Sequence, residues 1–364
     1  MQVQSLNLVS FRNFKSSSAA FDPGINVFHG RNGAGKSNLL EAIFVLLLGR
    51  SMRGAPDAVM VKEGAGVYRL EGEVELDGRN HSLAVAYQDG GRKKITIDKV
   101  TARTSELFER CCVVSTAPLD IEIPAGAPSK RRDFLNIYLS QASKRYLALL
   151  TDYHKVLEQK NSFLKQDTEG LETPYNDLLL KFGSDLMLER LSFLLSVGER
   201  ASWHYEQISG GQKLAVTYAP SVQLGEQDTT AEKIETKFRE KLTRYKDRER
   251  ILQTALVGPH RDDIDFRIGG YPARTHGSQG ELRTAAVALK LAVFEYLKEV
   301  RKITPILLLD EIFAELDNGR KEKLIESFGE FGQLFLTTAS EIPPRLLESG
   351  RKFIISDGSV TGEK

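Results

Sequence analysis

The chain has 364 residues, enough for two or three domains at about 150 residues each. Its 41% hydrophobic and 27% charged content excludes a mainly disordered or fibrous protein. With 50 basic against 49 acidic side chains the formal charge is +1, so nucleic acid is not drawn by net charge and any such binding must come from a local patch.

The N-terminus has no basic stretch followed by an apolar one, and the most apolar run, Ala42 to Leu48, is too short to span a bilayer. The expectation is a soluble cytoplasmic protein without a membrane partner. The cysteines Cys111 and Cys112 are adjacent, a poor arrangement for a structural bridge and too few for a four-ligand zinc site.

Strand signals dominate the first hundred residues. Leu6 and Leu8 alternate with polar neighbours, and Ile25 to Phe28 runs into Gly30. Leu70–Leu76 and Leu83–Tyr87 flank Asp77-Gly78, a hairpin signal, and Lys94–Asp98 follows as a third strand. A β-branched run at Cys111–Ser115 precedes a stretch broken by Pro118, Pro124 and Pro128. Helical spacing then sets in, through Phe134, Tyr138, Leu150 and Tyr153 and again from Leu178 to Val197, with one strand expected near Lys213–Tyr218.

The basic runs Arg92-Lys93-Lys94, Lys130-Arg131-Arg132 and Glu232 to Arg250 read first as solvated faces, with a nucleic-acid-facing surface as the alternative. A helix from Glu281 to about Arg301 has an apolar face, and Ile306–Leu309 is apolar throughout, as in a strand covered on both sides. Leu334–Leu336 is a second such strand. The expected domains are 1–118, a helical segment 119–250, and 251–364.

Gly30-Arg31-Asn32-Gly33-Ala34-Gly35-Lys36-Ser37 fits G-x-x-x-x-G-K-[ST] between an expected strand and an expected helix. Its glycines let backbone amides wrap a phosphate chain. Lys36 is expected between the β- and γ-phosphates of ATP, and Ser37 on Mg2+. Asp310 and Glu311 end the apolar strand, the edge at which open α/β sheets bind ligands. Asp310 is suited to hold Mg2+ and Glu311 to act as general base. Thus Lys36, Asp310 and Glu311 are the expected catalytic residues.

Loop and acidic strand resemble those of dimeric ABC-class ATPases, which carry a Ser-Gly-Gly-Gln-like signature that contacts the γ-phosphate bound by the other subunit, and two segments compete for that role here. Ser209-Gly210-Gly211-Gln212 leads into an expected strand and reads as a turn. Ser278-Gln279-Gly280-Glu281 leads into the long helix and is preferred, because a helix N-terminus presents amides to an anion. A composite site of this kind requires a two-fold homodimer with ATP in its interface.

Loop, signature and acidic strand together resemble the ABC-type ATPase head, with a mixed sheet around the phosphate loop and an antiparallel meander. The chain also resembles the RecF family of bacterial recombination and repair proteins through Phe11-Arg12-Asn13-Phe14, the segment Gly126 to Leu135, Val257 to Asp263, Gly277 to Gly280 and Leu307 to Asp317. The resemblance implies an α/β head with an inserted helical arm, and a nucleotide site that includes Arg12, Asn13 and Asn38. It further implies ATP-dependent binding to junctions of single- and double-stranded DNA, with RecO and RecR as partners in placing RecA. Other SMC-like repair ATPases, or an ATP-binding scaffold with little turnover, are the alternatives.

Some positions depart from the pattern. Ser115 to Asp120 contains no glutamine, and Leu119 stands in what is often an acidic pair. Thr338 stands where ABC heads carry a histidine, so slow hydrolysis is expected. Glu315-Leu316-Asp317 has the spacing of a loop that touches the opposite subunit. His260, in a proline-flanked turn, reads as structural, and His29 as core or as lying just behind the phosphate loop.

Overall fold

Alternating burial builds the N-terminal strands. In the computed structural model β1 (Gln2–Val3), β2 (Ser5–Phe11), β3 (Phe14–Ala20) and β4 (Ile25–His29) precede α1 (Lys36–Leu48) and the short α2 (Asp57–Met60). Then come β5 (Val67–Leu76), β6 (Arg79–Gln88), β7 (Lys94–Ile97), β8 (Val100–Ala102), α3 (Thr104–Arg110) and β9 (Val113–Thr116). A second group follows: α4 (Glu122–Ala125), α5 (Pro128–Ala142), α6 (Lys144–Lys165), α7 (Glu172–Ser209), β10 (Leu214–Ala219) and α8 (Ala231–Leu252). It continues with β11 (Asp263–Ile268), β12 (Tyr271–Pro272), α9 (Ala273–His276) and α10 (Gln279–Arg301). Strands β13 (Ile306–Leu309), β14 (Leu334–Thr338), β15 (Gly350–Ser356) and β16 (Ser359–Glu363) are the last elements among the described residues. The structure describes residues 1–166, 172–225, 227–228, 230–313, 331–339 and 350–363, with Gly319, Glu322 and Leu346. Glu315, Leu316 and Asp317 lie outside them.

The first unit comprises Met1–Asp120 and Val293–Lys364. Its antiparallel sheet runs β3-β2-β5-β6-β7-β8, with β1 on β5. The expected hairpin is there: Leu76 faces Arg79 across Asp77 and Gly78, both at positive φ, the two-residue turn that matches strand twist. The second sheet, β16-β15-β4-β14-β13-β9, is parallel except for edge strand β16. Its inner strands β13 and β14 are buried at every residue, which explains the apolar runs Ile306–Leu309 and Leu334–Leu336. Helix α1 touches strands of both sheets and is buried on nearly every side, hence its continuous apolar sequence from Ala42 to Leu48. Cys111 and Cys112 are buried and free, and burial pushes both thiols up to about 12.

The second unit comprises Ile121–Ala292. It is mainly helical, with the three-stranded sheet β10-β11-β12. The expected helical segment has the bounds 119–250, whereas this unit begins at Ile121 and runs to Ala292, with β10 paired along its whole length with β11. The segments Gly126–Leu135 and Val257–Asp263 meet here. Arg131 forks onto Asp263 at 2.5 and 3.0 Å and also donates to Gly126 O, while Arg132 donates to Asp262 O at 3.0 Å. Arg190, only 1% exposed, donates to Asp262 Oδ2 at 2.9 Å, Pro259 O at 2.6 Å, Asn136 Oδ1 at 2.9 Å and Tyr146 Oη at 3.0 Å. The Tyr218 hydroxyl and the Ser221 amide also donate to Asp262.

His260 is structural. Its Nδ1 meets Tyr153 Oη at 2.6 Å and its Nε2 meets Ala255 O at 3.1 Å, and burial pushes its pKa down to about 3. Two of the basic runs are committed in part to internal partners. Arg131 and Arg132 bond as above, and Lys93 pairs with Asp57 at 2.9 Å. Helix α8 buries Ile234, Phe238 and Leu242 along one side and exposes much of its charge on the other.

Removing one partner of a fully buried ion pair strands the other. Asp262→Ala is expected to cost about 3–5 kcal/mol, read as a lowered urea midpoint. Asp263→Ala should cost less, since Arg131 keeps carbonyl acceptors at Ile123 and Gly126.

Candidate functional site

The glycine-rich loop leaves β4 at Gly30 and enters α1 at Lys36. Gly30 admits no side chain, because a Cβ would lie 2.3 Å from Ile355 O on β15. Gly33 and Gly35 have φ of 82° and 112°, values that L side chains rarely adopt. Gly35 is the N-cap of α1, with no capping side chain and no acidic residue in the first turn, so the helix N-terminus keeps its amide donors for an anion. The side chain of Asn13 closes over Gly35; its Nδ2 donates to Ala34 O at 3.0 Å and its Oδ1 accepts from Asn38 Nδ2 at 2.8 Å.

Arg12, expected among the nucleotide contacts, has its guanidinium on a carboxylate of α1. It forks onto Glu41 at 2.8 and 3.1 Å and donates to Val59 O at 3.0 Å. Glu41 is wholly buried in α1 and also accepts from Ser51 Oγ at 2.5 Å. Arg12 therefore anchors the helix that carries Lys36 and Ser37. Sequence reasoning missed Glu41, although a carboxylate inside an apolar helix is itself a signal for a buried partner.

The acidic end of β13 comes to the start of α1. Asp310 Oδ1 accepts from Ser37 Oγ and from Thr337 Oγ1, each at 2.7 Å. Thr337 Oγ1 in turn accepts from the Glu311 amide at 2.8 Å. Glu311 has φ of 48°, a left-handed conformation costing about 1–2 kcal/mol in a non-glycine residue, and its Oε1 lies 3.2 Å from Lys36 Nζ. Lys36 Nζ also donates to Gly30 O at 2.9 Å and Arg31 O at 3.2 Å. Lys36, Ser37, Asp310 and Glu311 are thus gathered at one point from opposite ends of the chain. Thr337 was not foreseen; its neighbour Thr338 drew notice, but strand alternation turns Thr337 toward Asp310.

Burial raises the pKa of Asp310, while the Thr337 and Ser37 hydroxyls and the nearby Arg53 act to lower it. The Ser37 hydroxyl and the Asp310 carboxylate suit a hard divalent cation, while the Lys36 ammonium and the uncapped amides suit phosphate oxygens. Two more polar atoms border the loop and the acidic strand end. His29 Nδ1 and Thr116 Oγ1 are buried and have no hydrogen-bond partner among the described residues.

Ser278, Gln279 and Gly280 lie in the second unit, at the start of α10. Ser278 and Glu281 form a reciprocal cap: the Ser278 amide donates to Glu281 Oε2 at 2.9 Å, and the Glu281 amide donates to Ser278 Oγ at 3.3 Å. Ser278 and Gln279 are exposed, and a Cβ at Gly280 would meet nothing within 4 Å. Ser209 instead ends α7, and Gly210 and Gly211 turn the chain at positive φ.

Because Asp310 titrates higher in the fold than in the unfolded chain, the native state binds more protons across that window, and stability is lost as pH rises through it. In nucleotide-free protein, the melting temperature of Asp310→Asn relative to wild type is expected to shift in the variant's favour from about pH 4 to about pH 7.

Residues 2–342 match the sequence model of the family described as RecF/RecN/SMC N terminal domain. The chain is 36% identical over 368 residues to the DNA replication and repair protein RecF of Lachnoclostridium phytofermentans, covering 99% of each. It is equally similar, with the same coverage, to that of Streptococcus pneumoniae. A solved structure described as the recombination mediator protein RecF-ATPrS in the RecFOR pathway superposes with a TM-score of 0.89 at 32% identity, over 100% of this chain and 98% of that one. An Smc head bound to the C-winged helix domain of ScpA shares the fold at 15% identity, with a TM-score of 0.58 over 100% of this chain and 97% of that one. Among the described residues no helix is long and apolar enough to cross a membrane. With full-length identity above 30% and a matching family model, the chain belongs to the RecF family.

Proposed function

We propose that this chain is an ATP-gated DNA-binding protein of recombinational repair, acting as a homodimer that turns ATP over slowly. The observation that carries this reading is the convergence of Lys36 and Ser37 with Asp310 and Glu311 at the uncapped start of α1. The amides of residues 33–37 and the Lys36 ammonium bind the phosphate chain; Asn13 and Asn38 hold the loop in shape, and Arg12 fixes the helix behind it. Ser37 and Asp310 would hold Mg2+, which when bound offsets phosphate charge. Glu311 accepts a proton from the attacking water as its oxygen bonds to the γ-phosphorus and ADP leaves.

The exposed start of α10 supports the second half of the reading. Ser278, Gln279 and Gly280 of one subunit meet the γ-phosphate held by the other, so nucleotide favours the closed pair and hydrolysis releases it. A similar protein is described as a recombination mediator in the RecFOR pathway. The DNA in this reading is a gapped or junction substrate, with RecO and RecR as partners in delivering RecA, as the family resemblance implies. Binding rests on phosphate contacts and so falls with salt and varies little with sequence.

Fluorescence anisotropy on a gapped duplex tests the gating. Wild type should bind at least about tenfold more tightly with ATP, a differential affinity of about 1.4 kcal/mol, and Lys36→Met should lose the response. Equal, nucleotide-independent binding by both proteins contradicts it. Glu311→Gln should lower turnover about 10²–10⁴-fold while keeping ATP-dependent DNA binding, as measured by phosphate release alongside anisotropy.

A further inference from the structure

The Ser209-Gly210-Gly211-Gln212 turn is in hydrogen-bond contact with the signature it resembles. Helix α7 ends at Ser209, and the amides of Gly210 and Gly211 both return to Glu206 O at 3.1 Å. This exit presents Gln212 to two elements. Its Oε1 accepts from the hydroxyl of buried Tyr205 on α7 at 3.3 Å, and its Nε2 donates to Glu281 Oε1 at 3.1 Å. The other oxygen of Glu281 accepts from the Ser278 amide at 2.9 Å and from Ser278 Oγ at 2.8 Å. Tyr205, Gln212, Glu281 and Ser278 therefore form one chain of hydrogen bonds running from the end of α7 to the first turn of α10.

Chemistry explains the residue type. A primary amide both accepts from a phenol and donates to a carboxylate. A carboxylate at 212 would accept from Tyr205 but repel Glu281. The cap in turn needs Glu281 fixed, because one of its oxygens orients both the amide and the hydroxyl of Ser278. We infer that Gln212 is a positioning residue for Ser278, tying the signature to the carboxyl end of the longest helix of the second unit. A displacement of the α7 end reaches Ser278 through Gln212 and Glu281. The consequence for dimerisation rests on the two-subunit reading above; the consequence for the cap does not.

Two readouts on the full chain test this. In nucleotide-free protein, Gln212→Glu should speed hydrogen exchange at the 278–282 amides severalfold with a melting temperature close to that of wild type, the Gln212–Glu281 bond lying at the surface. Under ATP and Mg2+, sedimentation velocity should show dimerisation weakened about tenfold, the scale of losing a hydrogen bond to a charged group. Combining Gln212→Glu with Glu281→Gln again sets a donor against an acceptor, in reverse, and leaves a carbonyl to accept from Ser278. This double variant should return exchange and dimerisation to within about threefold of wild type, which general damage to the fold would not allow. Wild-type exchange in Gln212→Glu, or no recovery in the double variant, overturns the inference. If wild type itself does not dimerise with ATP, the two-subunit reading fails, and the exchange data alone decide the role of Gln212.

Discussion

A single carboxylate oxygen, Asp310 Oδ1, accepts hydrogen bonds from Ser37 at the start of α1 and from Thr337 near the end of β14. Asp310 is 5% exposed, and burying a carboxylate is costly unless it is hydrogen-bonded. That requirement ties three elements from the two ends of the sequence into one node. Glu311, next along, is then held in a left-handed conformation by the same threonine, and its carboxylate faces Lys36. Backbone strain of this sort persists where surrounding bonds over-determine it. The sheet, the glycine loop and the Arg12–Glu41 pair keep this node in place.

The second unit follows the same logic on a different pair. Arg190 and Asp262 are buried together, and each meets further donors or acceptors on neighbouring segments. The stretches 126–135 and 257–263 owe their character to this internal hub, and Arg131 and Arg132 are its members. Gln212 and Glu281 connect the end of α7 to the start of α10 within the same unit. Both candidate signatures thus have a place: one presents Ser278, the other braces the residue that caps it.

Legibility in the sequence followed the range of the interaction. The glycine-rich loop before α1 was readable because its glycines and lysine follow one another at fixed local spacing. The Asp77-Gly78 hairpin and the apolar strand ending in Asp310 were readable for similarly local reasons, and the Ser209 segment was recognisable as a turn from the strand after it. The limit of the second unit was not, since it depends on β10 pairing with β11, and periodicity carries no information on partners. Thr337 and Glu41 escaped because their roles come from packing between distant elements. The commitment of Arg12 to Glu41 was hidden for the same reason. The Ser278 to Glu281 spacing did carry a capping-box pattern, which a search for phosphate chemistry alone passes over.

The central claim is that two copies each supply half of an ATP site. Mixing Lys36→Met with Ser278→Arg tests it most directly. A pair of either variant with itself would contain no intact site, whereas a mixed pair joins the sound phosphate loop of one to the sound signature of the other. The account predicts ATP turnover in an equal mixture at about a quarter of the wild-type rate for independent sites, from random pairing under two-fold symmetry. A mixture no more active than the average of its two components would contradict it.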